Sequence, residues 1–213
     1  MVGTILLVVV AVFLVGGMCY RHWAAKKRTA QLALLARGMG FTFSERGTPD
    51  DLAEWSSFQL SKKASHRTIR NLMRGDCEGV AVAVVDYHSG AGQETVEQTV
   101  FTVRTAKLDL PRFELRAESV LDRLGELFGM KDVDFDEYPE FSRRCLLRGP
   151  DEAAVRALFR PEVLRFFEQH EGLSVEGDGH ALICYRPAKL VEPRQLEGFI
   201  HDSLVLYALL AAR

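Results

Sequence analysis

The chain begins with an uncharged run of apolar and small residues over positions 2–20. As a helix this run would be roughly 28 Å long, close to the thickness of a bilayer's hydrocarbon core, which is about 30 Å. A helix of that length in a soluble protein would normally carry a polar face, and this run has none. The pattern therefore predicts a transmembrane helix over residues 1–20.

A cleaved signal peptide is the main alternative for this run. Such a peptide usually carries a basic residue before a shorter apolar segment and ends in a small-x-small cleavage site. Nothing basic precedes the run, and it ends in Gly16-Gly17-Met18-Cys19-Tyr20. Met18 is not the small residue that a lipoprotein processing site places before its cysteine. We therefore expect the segment to be retained as a signal anchor, with Tyr20 and Trp23 at the membrane interface.

Basic residues follow the anchor at once. Arg21, Lys26, Lys27 and Arg28 lie beyond it, and no acidic residue occurs before Glu45. Because basic residues near the end of a spanning helix stay in the cytoplasm, the N-terminus is expected outside and the rest of the chain inside. The same four residues are predicted to contact anionic lipid headgroups.

The chain divides into three predicted parts. Residues 1–20 form the anchor, residues 21–40 a basic juxtamembrane helix that Gly38 and Gly40 end, and residues 41–213 a soluble domain. Charge is distributed unevenly: residues 1–75 hold 11 Lys and Arg against 4 Asp and Glu, whereas residues 76–213 hold 16 against 25. A nucleic-acid-binding domain would carry the positive charge itself, so we expect no nucleic-acid partner.

The sequence contains no spacing of cysteines or histidines that is typical of a metal or cofactor site. The four cysteines (Cys19, Cys77, Cys145 and Cys184) form no CxxC pair, and the six histidines are equally scattered. In the cytoplasm the cysteines should be reduced. No cofactor, metal ligand or catalytic residue is predicted.

The soluble part alternates between strand and helix patterns. The valine-rich run 80–85 predicts a buried strand, residues 95–105 its hairpin partner and residues 113–116 a half-exposed third strand. Further strands are predicted around 41–43, at 141–148, and in a hairpin of 173–176 with 181–186. The predicted helices begin near Pro49, Ser119, Asp151, Pro161 and Pro193. The fold class is therefore α+β: one N-terminal transmembrane helix followed by an antiparallel sheet with packed helices.

Two polar stretches have alternative interpretations. The basic run Lys62, Lys63, Arg67, Arg70 and Arg74 is typical of a solvated face, or makes a second contact with lipid headgroups. Residues 86–92, with Asp-Tyr-His-Ser followed by a Gly-Ala-Gly turn, are the one cluster worth weighing as an active site. Adjacent strand residues point to opposite faces and the glycines lack a phosphate-binding spacing, so a hairpin loop explains the cluster better.

Several short motifs resemble a group of uncharacterised bacterial proteins with one N-terminal membrane helix and a cytoplasmic domain of about this size. The matching stretches are Asn71-Leu72-Met73-Arg74-Gly75, Gly79, Asp86-Tyr87, Gln98-Thr99-Val100, Leu110-Pro111-x-Phe113, Asp134-Phe135, Phe141-Ser142-Arg143, Leu147, Asp151, Ala157-Leu158-Phe159 and Pro161-Glu162-Val163-Leu164. The chain departs from the group at Val85, where an aromatic residue is expected. The resemblance implies a bacterial inner-membrane location and carries over no activity and no site residue.

Three functional hypotheses follow. The first is a single-pass membrane protein whose cytoplasmic domain binds an unidentified protein partner or the membrane surface as a scaffold. The second is an enzyme that acts on a lipid or envelope precursor, with its site near residues 86–92. The third is a homo-oligomeric structural element that associates through the apolar C-terminal helix.

Overall fold

The computed structural model describes residues 2–62, 66–91, 94–117 and 131–212. The predicted helix after Ser119 lies outside the described residues. The strands are β1 Thr42–Arg46, β2 His66–Cys77, β3 Val80–Ala91, β4 Glu94–Arg104, β5 Leu110–Ala117, β6 Lys131–Asp132, β7 Cys145–Gly149, β8 Ser174–Gly179 and β9 Ala181–Tyr185. The helices are α1 Val2–Gly38, α2 Pro49–Ala53, α3 Gln59–Lys62, α4 Pro139–Arg144, α5 Glu152–Leu158, α6 Pro161–Gln169 and α7 Leu196–Ala211, and a 3-10 turn at Pro193–Gln195 precedes the last.

The first helix runs without a break through the apolar run and the basic residues beyond it, as predicted. It ends where Gly40 adopts a positive φ of 72° and the amide of Phe41 donates to the carbonyl of Ala36 at 2.7 Å. Leu32 and Ala36, in its last two turns, are buried against the sheet. In the part of the chain that the structure describes, no helix has the length and apolar character needed to cross a membrane.

The described strands form one antiparallel sheet in the order β1-β2-β3-β4-β9-β8-β5-β7-β6. The first four follow each other as a meander, and the β8–β9 hairpin then joins them to the second half. Both faces of the sheet are covered. One carries the main core under the end of α1 and under α5, α6 and α7, and the other carries a smaller core around Trp55, Phe58 and Tyr87. The α+β class and the packed helices are thus confirmed.

Local signals placed several elements correctly. Thr48 and Asp51 form a reciprocal capping box at the start of α2, and Asp51 accepts from both the backbone and the hydroxyl of Thr48. Asp151 caps α5 by accepting from the amide of Ala154 at 3.0 Å. The hairpin predicted between the last two strands is present, but its turn lies at Gly179, with a φ of 56°, and His180, because Gly177 and Asp178 still pair with Leu182 and Ala181.

Other predictions were wrong. The predicted loop at 86–92 belongs to β3 as far as Ala91, because every residue from Val82 to Ala91 pairs with β4. The strand predicted at 141–148 begins as helix α4, since Pro139 occupies its first turn. Strand β5 is not half exposed, because its charged residues Glu114 and Arg116 form an ion pair and are 1% and 7% exposed.

Most of the basic run 62–74 lies in strand β2, which the charge pattern did not predict. Arg67, Arg70 and Arg74 are exposed on β2, whereas Ile69 and Met73 are buried between them. The arginines thus cover a strand whose apolar residues enter both cores. A lipid contact by this run stays a prediction.

Gly75 on β2 lies directly under the ring of Phe41, which comes three residues after the end of the first helix. A Cβ atom at position 75 would come within 2.0 Å of that ring. Gly75→Ala is therefore expected to displace Phe41 and to lower the free energy of unfolding by about 1–3 kcal/mol. Urea unfolding of the full chain in lipid nanodiscs, followed by near-ultraviolet circular dichroism, measures the change.

Gly38→Ala is the matched control, because a Cβ at Gly38 meets no atom within 4 Å. Equal stabilities of the two variants would contradict close packing between Phe41 and β2.

Candidate functional site

A buried ion pair joins the first helix to the middle of the sheet. Asp86 lies on β3 with its side chain 2% exposed, and the Arg28 side chain is 15% exposed. Arg28 Nε donates to Asp86 Oδ2 at 2.7 Å, and Arg28 Nη2 donates to Asp86 Oδ1 at 2.7 Å. This two-point geometry is the strongest arrangement available to a guanidinium and a carboxylate, and it holds the helix in one position on the sheet.

The Arg28 guanidinium also binds a third part of the chain, the segment around Val191 that precedes α7. Arg28 Nη1 donates to the carbonyl of Val191 at 2.7 Å, while Thr99 Oγ1 donates to Asp86 at 3.0 Å and accepts from the amide of Val191 at 3.0 Å. Arg28 Nη2 lies 3.1 Å from the same hydroxyl. Helix α1, strands β3 and β4 and the segment before α7 therefore meet at one hydrogen-bonded centre.

Asn71 completes this centre from a distorted point of β2. Its φ is 50°, and the pairing of β2 with β3 shifts register between Arg70 and Met73. The bulge turns the Asn71 amide toward Asp86, and Nδ2 donates to Asp86 Oδ2 at 2.7 Å. That bond fixes the orientation of the amide, because its oxygen would repel the carboxylate. Asn71 Oδ1 is left buried and has no hydrogen-bond partner among the described residues.

A cleft of about 560 Å³ opens between α1 and the sheet beside this centre. Its floor includes Asn71, Asp86 and His88, and exposed side chains of Met18, Tyr20, Arg21, His22 and Arg70 surround it. Burial lowers the pKa of His88, and Arg70 lowers it further, although Glu97 lies 3.1 Å from His88 Nδ1 and acts in the opposite direction. His88 is therefore neutral at pH 7.

A second cleft, of about 540 Å³, lies on the other flank of the same helix. It is lined by Tyr20, Trp23, Lys27, Arg28, Arg194 and their neighbours. The ammonium of Lys27 lies 5.1 Å from the centre of the Trp23 ring, which is a cation–π contact. An aromatic and basic surface of this kind is typical of a membrane interface.

The four predicted headgroup residues fall in different environments. Arg21 is exposed at the rim of the first cleft, Lys26 is exposed, and Lys27 packs on Trp23. Arg28 differs from these, because its guanidinium binds Asp86, Thr99 and Val191 within the protein. Lipid contact by these residues stays a prediction, and Arg28 has a structural role that the sequence did not indicate.

The structure does not assemble the nucleophilic site considered for residues 86–92. Asp86 and His88 share one face of β3, and Tyr87 lies in the core on the other, where burial raises its pKa. The described lining of the cleft contains neither serine nor cysteine. No cluster of three or more His, Cys, Asp or Glu among the described residues is placed to hold a metal ion.

A second buried polar cluster lies on the opposite face of the sheet. Glu176 on β8 accepts from the amides of Gln59 and Leu60, the latter at 2.9 Å, and from the Tyr185 hydroxyl at 3.1 Å. Burial raises the pKa of Glu176 to about 7, and the nearby charge of Glu114 raises it as well. This carboxyl group therefore attaches the segment of α2 and α3 to the sheet.

Sequence reasoning missed the centre around Arg28, although two signals were present. Asp86 ends an unbroken valine-rich run, and a carboxylate within a buried strand requires a partner. Asn71, Asp86 and Thr99 also belong to the motifs on which the resemblance to the bacterial group rests. Neither signal names the partner, since Arg28 lies 58 residues from Asp86 along the chain.

The described residues thus define an α+β protein with one antiparallel sheet to which a long N-terminal helix is attached by a buried ion pair. Among solved structures, the fold is similar to that of the mycobacterial trehalose monomycolate transport factor A, TtfA, with a TM-score of 0.64. The two chains are 15% identical over 85% of this chain and 93% of that chain, and a likeness at this identity shows the fold alone. No family model and no curated protein match the sequence.

Proposed function

We propose that this chain is a non-enzymatic, membrane-anchored scaffold that serves the transport of an envelope lipid at the bacterial inner membrane. Residues 2–20 are its single-pass anchor, with the N-terminus outside and the domain in the cytoplasm. The uncharged run and the basic residues behind it support this placement. The shared fold with a protein described as a transport factor supports the role in lipid traffic.

The buried pair of Arg28 and Asp86 is the observation that carries the proposal. Arg28 lies eight residues beyond Tyr20, which is about 12 Å along a helix. A domain attached at that point lies within the headgroup layer if the preceding run spans the bilayer. Because the attachment is a two-point ion pair and not a flexible linker, the domain also keeps one orientation there. Fixed distance and orientation are what a scaffold at a membrane surface requires.

Exposed apolar side chains support the same placement. Phe13, Val15, Met18 and Tyr20 are 76%, 60%, 72% and 66% exposed on the first helix. These side chains point to different sides of the helix, so apolar groups are exposed around its circumference, as on a segment that lipid or a protein partner covers. The C-terminal helix differs, because Leu196, Phe199, Ile200, Leu206 and Leu210 are buried in the core. A homo-oligomer through that helix is therefore not proposed.

Lipid flux in cells tests the function. A strain that lacks the gene is expected to accumulate a newly made envelope lipid in its inner membrane and to deliver less of it to the cell surface. Extraction of radiolabelled surface lipids measures the delivery. The full chain should restore it, whereas a chain without residues 2–20 should not. Unchanged surface delivery in the deletion strain would overturn the proposed role.

The orientation gives a separate prediction. A reporter fused after Arg213 that works only in the cytoplasm should give a signal with the natural chain. Replacement of Arg21, Lys26 and Lys27 by Glu is expected to abolish most of this signal, because these charges hold the domain on the cytoplasmic side.

A matched control carries the same change of charge far from the anchor. Arg46, Lys62 and Arg143 are exposed, and their replacement by Glu should leave the reporter signal intact. A signal from the outer compartment with the natural chain would contradict the proposed orientation.

A further inference from the structure

We propose that the cleft between α1 and the sheet binds the phosphate group of an anionic phospholipid. This inference rests on the proposed function for the level of the cleft at the bilayer, and it adds the class of lipid that the domain binds there. Arg21 and His22 on α1 and Arg70 on β2 are the residues that we assign to the phosphate. Arg28 is not among them, because its guanidinium already binds Asp86.

The three assigned residues line the cleft with unused hydrogen-bond donors. Arg21, His22 and Arg70 are exposed, and within the described residues their side chains form no hydrogen bond and no ion pair. A single exposed arginine of this kind is ordinary, but here two guanidinium groups and an imidazole line one concave surface, from the helix and from the sheet. Arginine binds phosphate oxygens through two parallel N–H groups, so this set of donors matches a phosphate group.

The neighbours of Arg70 in the sheet leave it without a carboxylate partner. Arg46 on β1 lies directly opposite on one side, and like charges in that position destabilise a pair of strands. Asp86 on β3 lies opposite on the other side, but its buried carboxylate already accepts hydrogen bonds from three other side chains. An anion bound at Arg70 would therefore offset a repulsion that the described residues leave in place.

The charged groups of the cleft leave an excess of positive charge. Its lining contains Arg21, Arg28 and Arg70 against Asp86 and Glu97, so the arginines exceed the carboxylates by one. Because Arg28 and Asp86 are paired with each other, the excess lies with Arg21 and Arg70. The phosphodiester of an anionic phospholipid carries one negative charge and would balance this excess. A zwitterionic lipid brings no net charge and would leave it unbalanced.

The cleft also reaches the end of the apolar run. Its lining on α1 extends from Thr29 to Met18, which is about 16 Å along a helix. Met18 and Tyr20 lie at this outer end and are 72% and 66% exposed. If residues 2–20 span the bilayer, a phosphate in the cleft lies at the depth of the headgroups and the acyl chains contact these two side chains. This position favours a phospholipid over a soluble phosphate ester.

Removal of two positive charges tests the assigned residues. Arg21→Gln combined with Arg70→Gln is expected to weaken the binding of phosphatidylglycerol at least about tenfold, because the charged donors to the phosphate are lost. Arg37→Gln combined with Arg165→Gln is the matched control. Arg37 and Arg165 are exposed, their side chains have no partner among the described residues, and they line neither described cleft.

A filled cleft tests the site without a change of charge. Ala25 is exposed on α1 and lines this cleft, but not the cleft on the other flank. Ala25→Phe should therefore also weaken binding at least about tenfold, since the ring occupies the space of the headgroup. Ala30 is exposed on the same helix and lines neither described cleft, so Ala30→Phe is the control. This pair separates a defined site from a general attraction of lipid to positive charge.

Retention of tritiated phosphatidylglycerol by the full chain in a non-ionic detergent measures the binding. The natural chain and both controls should retain the lipid, and unlabelled phosphatidylcholine should compete at least about tenfold less well than unlabelled phosphatidylglycerol. No retention, or equal retention by either cleft variant and its control, would overturn the site. Equal competition by phosphatidylcholine would overturn the anionic headgroup, and equal competition by glycerol phosphate would overturn the phospholipid.

The two proposals fail in different ways. If phosphatidylglycerol does not bind in the cleft while the surface delivery of lipid still depends on the gene, the assignment of the cleft is wrong and the proposed function stands. If phosphatidylglycerol binds through this cleft while surface delivery is unchanged in the deletion strain, the transport role is wrong and the binding site stands.

Discussion

Replacement of Arg28 by alanine is expected to lower the free energy of unfolding by about 3–5 kcal/mol. The Asp86 carboxylate would stay buried without its cation, and the carbonyl of Val191 would lose its donor. The loss arises because removal of one partner leaves an uncompensated charge in a region from which water is excluded. Urea unfolding of the full chain in lipid nanodiscs, followed by near-ultraviolet circular dichroism, measures it.

Lys27→Ala is the control for this experiment, because Lys27 is exposed and its ammonium lies over the Trp23 ring and not in the buried centre around Asp86. Its effect should lie within about 0.5–1 kcal/mol. Adding Asp86→Asn to Arg28→Ala removes the unpaired charge and should recover part of the lost stability. Equal stabilities of the Arg28 and Lys27 variants would contradict a buried ion pair.

The Arg28 variant also separates attachment from folding. Hydrogen exchange of the α1 amides between residues 21 and 31 should become faster than exchange of the β3 amides, because the helix loses its main polar attachment to the sheet. The scaffold proposed above depends on this attachment. Surface delivery of lipid should therefore fall in cells that carry Arg28→Ala, even when the membrane holds a normal amount of the protein.

The second large expected effect concerns pH. Glu176 should make the free energy of unfolding depend on pH. Its pKa rises from 4.5 to about 7 on folding, so the folded protein binds a proton more strongly than the unfolded chain does. This contribution to stability is fully present below pH 4.5 and is lost as the pH rises through 7. The whole shift corresponds to at most about 3 kcal/mol.

Glu176→Gln keeps the size of the side chain and cannot ionise. The difference in unfolding free energy between the natural chain and this variant is expected to change by up to about 3 kcal/mol between pH 4.5 and 8, to the disadvantage of the natural chain at high pH. This difference in unfolding free energy isolates the effect of Glu176. The lowered pKa of His88 makes stability rise with pH in both proteins, so its contribution cancels in the difference. Groups that face Glu176, namely Glu114, Arg116, Tyr87 and Tyr185, are also common to both.

Glu54→Gln is the matched control, since Glu54 is exposed and adjoins the same short helical segment. Its stability should follow that of the natural chain at every pH. A constant offset between the Glu176→Gln and natural curves would mean that Glu176 ionises as an exposed carboxyl group does, and it would contradict the burial that raises its pKa.

The sequence by itself determined the features that depend on near neighbours. The long first helix, the capping box at Thr48, the cap at Asp151 and the final β-hairpin follow from patterns within a few residues. The α+β class followed in the same way. Charge patterns gave wrong predictions where tertiary contacts pair or bury the charged residues. The arginines of β2 suggested a solvated basic face, and Glu114 and Arg116 suggested that one side of β5 is exposed, although both residues are buried.

Only the tertiary structure decided what the polar residues do. Asp86 and Arg28 are 58 residues apart, and Thr99 and Val191 are 92 apart, so no local period relates them. The bulge that turns Asn71 toward Asp86 and the cleft beside it arise from the way the helix lies on the sheet. A buried charge must find a partner wherever the fold supplies one, and that partner is chosen by packing over the whole chain.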